Sequence, residues 1–223
     1  MEAQTLMVAV VSCLSQKGGV AKSALARLIA REYASVGRRV MIGDLDTLQA
    51  TSTEWSNRRN DAAIFPTVPT HGFESVKKAI KAAAGSELLI IDGRGYADRH
   101  TAEAAEASDA ILLPTGTSVD DLRPTVRLAH ELIAAGIERQ RIVFALCRTG
   151  DGARENADAD LYIRSAGYTC LSQVLPERAG YRQAHDEGRT ATEARHASLR
   201  SKAKAFAGAL TGVLDTLIWK AKP

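Results

Sequence analysis

Residues 17–23 read K-G-G-V-A-K-S and join an apolar, strand-like run, Leu6–Leu14, to an amphipathic run, Ser23–Val36. A glycine-rich turn between a buried strand and a helix points successive backbone N–H groups at one place, and the helix N-terminus adds partial positive charge there. Such a turn binds phosphate oxygens, with Lys22 as a cation and Ser23 as a hydroxyl ligand for Mg²⁺. The segment therefore predicts a strand, a phosphate loop and a helix in that order.

The heptad differs from the generic phosphate-loop pattern G-x-x-x-x-G-K-[ST], which has glycine at two positions. Gln16 and Ala21 occupy those positions here, and the final Lys22-Ser23 pair is kept. An additional lysine, Lys17, matches the narrower pattern K-G-G-x-x-K-[ST]. In this respect the chain resembles the deviant Walker A box of the ParA and MinD group of ATPases. The alternative interpretation is an ordinary glycine turn.

The resemblance implies that the heptad binds ATP, with Mg²⁺ as the metal cofactor. The residues that it assigns to the nucleotide are Lys17, Gly18, Gly19, Val20, Ala21, Lys22, Ser23 and Ala24. It also assigns catalytic roles to Lys17 and Lys22, since in the family the first lysine reaches across a dimer interface to the partner's nucleotide. Phosphate oxygens buried at an interface need cations from both sides, as an arginine finger supplies. The alternative for Lys17 is a solvated side chain beside a turn.

Short aliphatic runs alternate with longer helical patterns, which is typical of a parallel sheet covered on both faces. The predicted strands are Met7–Leu14, Val40–Asp44, Ile64–Val68, Leu88–Asp92, Ala110–Pro114, Ile142–Leu146 and Tyr168–Leu171. The clearest predicted helices are Ser23–Val36, with Gly37 as its C-cap glycine, Leu122–Ala135 and Leu199–Ile218. We therefore expect residues 1–223 to form a single α/β domain, a doubly wound, mostly parallel sheet with helices on both faces, of the P-loop NTPase type.

Two of the predicted strands end in aspartates, at Asp44 and at Asp92. Open α/β sheets bind ligands at the carboxyl ends of their strands, so these carboxylates are expected beside the phosphate loop. The run Leu88–Asp92 has the Walker B form, in which a buried aliphatic strand presents a carboxylate to Mg²⁺ or to its waters. Hydrophobic strands that end in aspartate are common for structural reasons alone, but the position after a phosphate loop favours the metal role.

Residues 44–46 resemble switch I of the same family, which reads D-x-D-P-Q. By that resemblance Asp46 is a catalytic residue that positions the attacking water. Asp44 lies near the metal, and the metal residues are then Ser23, Asp44 and Asp92. Thr-Leu stands where the family has Pro-Gln, and a glutamine follows one place late, so the geometry of the switch and the rate of hydrolysis are left open.

Two later segments extend the resemblance along the chain. Ser108–Pro114 resembles the strand after Walker B, which ends in proline on the nucleotide side. Leu175–Arg178 and Tyr181–Gly188 match, more loosely, the segment that lies by the base in relatives. At 223 residues, with no room for an N-terminal helix-turn-helix domain, the chain resembles the short plasmid-partition ParA proteins.

The composition is that of a globular protein, with 25% charged and 45% apolar residues. The first apolar run follows Glu2 without a basic residue, so it predicts a buried strand and not a secretory signal, and no stretch approaches the ~20 apolar residues of a membrane span. The three cysteines, Cys13, Cys147 and Cys170, are far apart and form no C-x-x-C pair, which indicates reduced thiols in a cytoplasmic protein. The five histidines show no metal-ligand spacing.

Positive charge is concentrated near the C-terminus. The range Arg178–Lys204 carries seven basic and three acidic residues, a local net charge of +4 against +3 for the chain. Such a surface could bind nonspecific DNA, as ATP-bound dimers of the family do, and the candidates are Arg189, Arg195, Arg200, Lys202 and Lys204. The alternatives are a solvated helix face and a MinD-like membrane-binding helix, and the long aliphatic stripe of this helix favours core packing over the membrane.

The resemblance implies a cytoplasmic, nucleoid-associated ATPase that forms an ATP-dependent homodimer and binds nonspecific DNA. Slow hydrolysis would reset it, with a partner of the ParB or centromere-binding type as the stimulating adaptor and no membrane involved. Such a cycle positions or segregates plasmid or chromosomal DNA. The alternatives are a nucleotide switch or regulator with little or no hydrolysis, and a related ATPase that positions a protein cargo.

Overall fold

Parallel strands form the centre of the molecule, and the computed structural model describes residues 8–95 and 99–219. Within these ranges the strands are β1 Ala9–Cys13, β2 Val40–Asp44, β3 Thr70–Gly72, β4 Leu88–Asp92, β5 Ala110–Thr115, β6 Ile142–Thr149, β7 Thr169–Cys170 and β8 Leu175–Pro176. The sheet order is β3-β2-β4-β1-β5-β6-β7, and β8 also pairs with β6. Every pairing between these strands is parallel, which confirms the predicted doubly wound α/β fold.

Helices cover both faces of the sheet. They are α1 Lys22–Ser35, α2 Thr51–Asp61, α3 Val76–Ala82, α4 Arg99–Ala107, α5 Val119–Ala134, α6 Ala153–Ser165, α7 Ala179–Asp186 and α8 Ala197–Ile218. Side chains alternate across each strand, so that Val11 and Ile90 pack toward α1 and α8 while Val10 and Ile91 pack toward α4 and α5. Each face thus has its own apolar core, as a continuous aliphatic strand requires.

One predicted strand is wrong. Ile64–Val68 is not extended in the sheet, and the edge strand is β3, a short distance further along the chain. Pro66 and Pro69 have no N–H to donate, so a ladder cannot run through this segment. Pairing begins where Ile42 of β2 donates its N–H to the carbonyl of Pro69 at 2.9 Å. The other predicted strands form within a few residues of their expected ends, although Leu6 and Met7 lie outside the described residues.

The predicted helix ends are also close to the observed ones. Gly37 follows α1 with φ +85° and donates its N–H to the carbonyl of Ala34 at 3.1 Å, which confirms it as the glycine that ends this helix. The apolar stripe of α8 is packed against the sheet, with Phe206, Leu210 and Leu214 fully buried, as expected for core packing. Over residues 8–95 and 99–219, no helix is both long and apolar enough to cross a membrane.

Candidate functional site

The predicted site residues meet at the carboxyl edge of the sheet, around the end of the central strand β1. Register pairs Cys13 of β1 with Asp92 of β4, and Asp92 in turn with Asp44 of β2. The loop at residues 14–21 follows β1, so the strand-end carboxylates lie beside it, as the topology predicts. A cavity of about 390 Å³ opens here, lined on one side by the loop and α1 and on the other by residues 175–185.

The loop leads directly into α1, and its second lysine is held inside the site. Lys22 is 7% exposed, and its ammonium donates to the carbonyl of Lys17 at 3.1 Å. Burial lowers the pKa of Lys22, although the charge of Asp92 opposes this shift. The hydroxyl of Ser15 accepts the N–H of Lys17 at 2.9 Å and so stabilises the turn at the start of the loop. A buried cation whose hydrogen bond within residues 8–95 and 99–219 goes to a neutral carbonyl is placed to bind an anion more strongly.

Ala21 has left-handed backbone geometry, with φ +81° and ψ +21°, at the N-cap of α1. Glycine adopts this conformation freely, whereas a Cβ makes it cost about 1 kcal/mol. The generic phosphate loop has glycine at this position, so alanine there is a strained substitute. The departure from the generic pattern at Ala21 therefore coincides with a strained backbone.

Asp92 presents a buried carboxylate oxygen at the end of β4. The residue is 2% exposed, and its Oδ2 accepts a hydrogen bond from the hydroxyl of Ser52 at 2.6 Å. Its Oδ1 is buried and has no hydrogen-bond partner among the described residues. Burial raises the pKa of Asp92, while hydrogen bonding to the hydroxyls of Ser52 and Ser23 and the nearby charges of Arg27 and Lys22 oppose the rise. An unpartnered buried carboxylate oxygen is costly, and it is explained most simply by a cation or a water that it binds.

The donor set at this point fits Mg²⁺. Ser23 supplies a hydroxyl that contacts the hydroxyl of Thr51 at 3.1 Å, and Asp92 supplies the free carboxylate oxygen. In the part of the chain that the structure describes, no three His, Cys, Asp or Glu side chains are grouped to hold a metal ion by themselves. Mg²⁺ commonly binds through one or two protein oxygens, with waters and substrate phosphates as its other ligands, so the small donor set is of the expected kind.

Asp44 has a structural role that the sequence did not indicate. Its Oδ2 accepts the backbone N–H groups of Ser52 and Thr53 at 3.1 and 3.2 Å, and its Oδ1 accepts the N–H of Asp46 at 3.1 Å. These bonds satisfy the open N-terminus of α2. Burial and the charge of Asp92 raise the pKa of Asp44 to about 6. The carboxylate thus lies on the strand next to Asp92 with both oxygens hydrogen-bonded, and its role near a metal stays a prediction.

Asp46 lies at the mouth of the cavity, at the start of an exposed turn. Its Oδ1 accepts the N–H of Gln49 at 3.2 Å, and both residues line the cavity. The side chain of Leu48 between them is 95% exposed, and Ala50, which follows, has φ +46° at the N-cap of α2. Asp46 is therefore accessible to a bound ligand, and its role in positioning water stays a prediction.

Lys17 points away from the cavity that the rest of the loop lines. Its ammonium forms an ion pair with Asp121 in the first turn of α5, and the hydrogen bond and charge of Asp121 raise the pKa of Lys17. The neighbouring Gln16 is also bonded to α5, through Glu131 at 2.8 Å. The lysine side chain is 49% exposed, so it is accessible to a second molecule.

The wall opposite the loop is built by residues 175–185, which the loose family match had assigned to the base. Tyr181 and His185 of α7 line the cavity together with Arg27 of α1. His185 is nearly buried, and its Nδ1 has no hydrogen-bond partner in the described part of the chain. Arg27 donates to the hydroxyl of Ser52 at 3.1 Å and so joins this wall to the Asp92 site.

Sequence reasoning missed Arg27, Ser52 and Arg148 as site residues. Arg27 lies one helical turn after Ser23 on the same face of α1, and that spacing could have indicated it. The predicted strand ended at Leu146, whereas β6 continues to Thr149. The polar side chain of Arg148 therefore lies near the true end of the strand, where site residues are expected, and the prediction stopped short of it. Ser52 had no local signal, because its place depends on how α2 packs.

The basic C-terminal residues are only partly free. Arg189 and Arg195 both form ion pairs with Glu187, and Arg200 donates to backbone carbonyls at the start of α8. Lys202 and Lys204 are exposed and form no ion pair within residues 8–95 and 99–219. These two lysines are therefore the more available of the five candidates, and DNA binding stays a prediction for all of them.

Comparison with known proteins supports the fold. No protein family model and no curated protein matches this chain. Among solved structures, the septum site-determining protein MinD of Pyrococcus horikoshii OT3, complexed with Mg-ADP, is 20% identical, with 97% of this chain and 100% of that chain covered and a TM-score of 0.73. A chain of the MinC:MinD cell division protein complex of Aquifex aeolicus is 14% identical, with 92% of this chain and 96% of that chain covered and a TM-score of 0.72. A ParA family ATPase of Chlorobium tepidum TLS is 17% identical, with 89% of this chain and 98% of that chain covered and a TM-score of 0.64. The chain therefore has the parallel α/β fold of the MinD and ParA ATPases.

Proposed function

We propose that this protein is a ParA/MinD-type ATPase, which binds Mg·ATP at the loop after β1 and hydrolyses it slowly. The observation that carries the proposal is the buried, unpartnered Oδ1 of Asp92 beside Ser23 and Lys22, at the N-terminus of α1. A cation ligand beside the cavity, together with a phosphate-binding lysine and a helix N-terminus that line it, are the parts that a Mg-nucleotide needs.

Each part of the loop has a separate task in binding. Backbone N–H groups of residues 18–24 and the ammonium of Lys22 bind the phosphates, with Lys22 exchanging the carbonyl of Lys17 for a charged oxygen. Ser23 and Asp92 hold Mg²⁺, and Asp44 orients the N-terminus of α2 behind them. The metal, when bound, neutralises phosphate charge as it develops in the reaction.

Hydrolysis needs a positioned water, and Asp46 is the proposed residue for this task because it is accessible at the cavity mouth. Lys17 is the proposed cation for the nucleotide of a second subunit, which makes ATP the link in a homodimer. Its half-exposed ammonium on the surface of α5 supports this role, since only a small rearrangement frees it from Asp121.

The proposed output is ATP-dependent binding of nonspecific DNA by the dimer, in a single domain that positions or segregates plasmid or chromosomal DNA. The exposed Lys202 and Lys204 on α8 support a phosphate-binding surface, with Arg189, Arg195 and Arg200 beside them. A ParB-like or centromere-binding adaptor would stimulate hydrolysis. That a structural neighbour, MinD of Aquifex aeolicus, is solved with a protein partner supports a partner-binding role in general.

A second candidate is a nucleotide switch or regulator with little or no hydrolysis. It is favoured by the strained backbone of Ala21 and by the turn after Asp46, in which Leu48 is 95% exposed. Ala21 lies in the proposed phosphate loop, and the turn follows the proposed water-positioning residue, so both features bear on the geometry of hydrolysis. A third candidate keeps the ATPase and replaces DNA with a protein cargo.

ATP turnover and molecular size distinguish these candidates. We expect wild-type protein to bind Mg·ATP, to dimerise with ATP or a nonhydrolysable analogue but not with ADP, and to bind plasmid DNA as the dimer with an affinity that falls steeply with salt. Lys22→Ala and Asp92→Asn should lose nucleotide binding, whereas the exposed control Arg154→Ala should not. ATP binding without turnover, with or without DNA, would indicate the switch, and turnover without DNA affinity would indicate a protein cargo. Absence of nucleotide binding would contradict all three.

A further inference from the structure

Arg148 has an unusual position at the edge of the cavity. It is the penultimate residue of β6, its φ is +56°, and its side chain is 50% exposed. Its guanidinium donates from Nη1 to the carbonyl of Gly19 in the phosphate loop and from Nε to Oε2 of Glu177 at 2.8 Å. One side chain therefore joins the phosphate loop to the opposite wall of the cavity.

The contact with the loop parallels that of Lys22. Both side chains are cations that line the cavity, and both donate to a loop carbonyl, Lys22 to Lys17 and Arg148 to Gly19. A neutral carbonyl is the weaker acceptor, and a charged phosphate oxygen competes well for the same donor. The two carbonyls thus occupy donors that a polyphosphate could use.

The remaining bonds of Arg148 allow that exchange. Because the planar guanidinium is a rigid fork of five donors, a turn toward a ligand moves Nε and both terminal nitrogens together and also loosens the Nε contact with Glu177. Glu177 also accepts a hydrogen bond from Arg182. Burial raises the pKa of Glu177, but the hydrogen bonds from the two arginines outweigh this effect, and the pKa is lowered. Glu177 therefore remains paired when Arg148 turns toward a ligand.

The backbone conformation of Arg148 also indicates a ligand site. A left-handed φ is rare for arginine and is strained, and such outliers gather at ligand sites, where the surrounding structure maintains them. Glycine at this position would be unstrained, so the benefit of arginine here lies in its side chain.

We infer that Arg148 is a second cation for the nucleotide phosphates, which leaves the Gly19 carbonyl for a phosphate oxygen when the nucleotide binds. This inference rests on the proposed nucleotide site and adds a residue to it. Arg148 would then bind polyphosphate together with Lys22, within the same subunit.

Paired variants test the inference. Arg148→Ala and Arg148→Gly both remove the guanidinium, but only the glycine relieves the strained φ. We expect both to weaken ATP binding by about tenfold, the loss typical of one charged hydrogen bond, with adenosine binding unchanged and with Arg148→Lys closer to wild type. Arg148→Gly should unfold about 3 °C higher than Arg148→Ala. Binding is measured by calorimetry for ATP and by competition for adenosine, and Arg154→Ala is the control for loss of a surface charge.

The outcomes separate this inference from the proposed function. If both variants bind ATP as tightly as the wild-type protein does, Arg148 is not a phosphate ligand, although the nucleotide site itself stands. If the alanine and glycine variants differ in ATP affinity, or if adenosine binding falls as much as ATP binding, Arg148 acts on the shape of the loop and the inference is wrong. If wild-type protein binds no ATP, the proposed function fails together with it.

Discussion

At the scale of the residue, backbone strain is concentrated around the cavity. In the described ranges, four residues other than glycine have positive φ: Ala21, Ala50, Ala63 and Arg148. Ala21 and Arg148 line the cavity, and Ala50 lies between two residues that do. Such conformations persist where packed neighbours leave the backbone no alternative, which is the case between a buried strand and a helix. Ala63, at the end of α2, lies outside the cavity and is a natural control.

The first prediction concerns Ala21. Ala21→Gly should raise the free energy of unfolding by about 1 kcal/mol, because glycine adopts φ +81° without a Cβ clash. If ATP binding strains the loop further, the variant should also bind ATP more tightly or hydrolyse it faster. Ala63→Gly, which relieves a φ of +50°, should give a similar gain in stability with no change in ATP affinity or turnover. Urea unfolding and ATP titration measure both effects, and equal behaviour of the two variants toward ATP would show that the loop tolerates alanine.

The second prediction concerns His185. Burial lowers the pKa of its imidazole to about 4, and the charge of Arg27 adds to the effect, whereas that of Glu177 opposes it. The unfolded chain therefore binds a proton that the folded chain does not between about pH 6.5 and pH 4. Stability from this residue is complete above pH 6.5 and is lost as the pH falls.

Between pH 7 and pH 5 the loss should be about 2 kcal/mol. His185→Gln should remove this component, so the difference in free energy of unfolding between wild type and variant, measured in urea at each pH, should shrink by that amount at pH 5. A difference that stays constant with pH would show that the imidazole titrates normally in the folded state.

At the scale of the element, α2 links the Asp92 site to the C-terminal part of the chain. Residues on one face of the helix, Ser52, Trp55 and Arg59, are all buried. Ser52 bonds to Asp92, the indole of Trp55 donates to the carbonyl of Arg189 at 2.9 Å, and Arg59 forms a bidentate ion pair with Glu193 at 2.9 and 3.0 Å. A shift of α2 on ligand binding would therefore be passed to the segment that precedes α8.

The third prediction tests the anchor of α2. Arg59 is 0% exposed, so Arg59→Met leaves Glu193 buried without its main partner and should cost about 3–5 kcal/mol in free energy of unfolding. The double variant Arg59→Met/Glu193→Gln removes the uncompensated charge and should recover part of that loss. Urea unfolding followed by circular dichroism measures both. Losses that simply add in the double variant would mean that the ion pair contributes little.

At the scale of the whole molecule, the proposed cycle depends on where Lys17 points. In this structure Asp121 holds it on α5, more than a hundred residues away in sequence. Reaching a second subunit requires that this ion pair break. The side chains of the pair are 49% and 23% exposed. Exposed ion pairs contribute about 0–1 kcal/mol, so breaking this pair costs little free energy.

The fourth prediction follows from that contact, and it rests on the proposed dimer. Asp121→Asn frees Lys17 and should lower the dissociation constant of the ATP-bound dimer by about threefold, which corresponds to an exposed ion pair. Asp120→Asn in the same helical turn is the matched control; Asp120 acts on Lys17 through a weaker charge effect and should change the constant much less. Sedimentation velocity with a nonhydrolysable ATP analogue measures the constant. A weaker dimer in Asp121→Asn alone would show that Asp121 supports dimerisation instead of restraining it.

Local patterns were sufficient for most of the architecture. Val40–Asp44 and Leu88–Asp92 formed with the predicted ends, because an aliphatic run followed by a polar residue determines both where a buried strand lies and where it stops. The segment Ile64–Val68 failed, because two prolines outweigh the β-propensity of its other residues. Helix starts were placed up to three residues late, as at Val119, since the first turn of a helix carries acidic residues and no apolar periodicity.

Three features follow from local patterns in the sequence: the parallel α/β fold, the order of strand, loop and helix, and the grouping of Asp44, Asp92 and Lys22 at one sheet edge. These depend on patterns within a few residues and on the rule that parallel strands end at the same edge. Two other features depend on how the elements pack: the pairing of Lys17 with Asp121 and the contact of Arg148 with the Gly19 carbonyl. The partners of these contacts are 104 and 129 residues apart, so their geometry is set by the packing of whole elements and leaves no local signal.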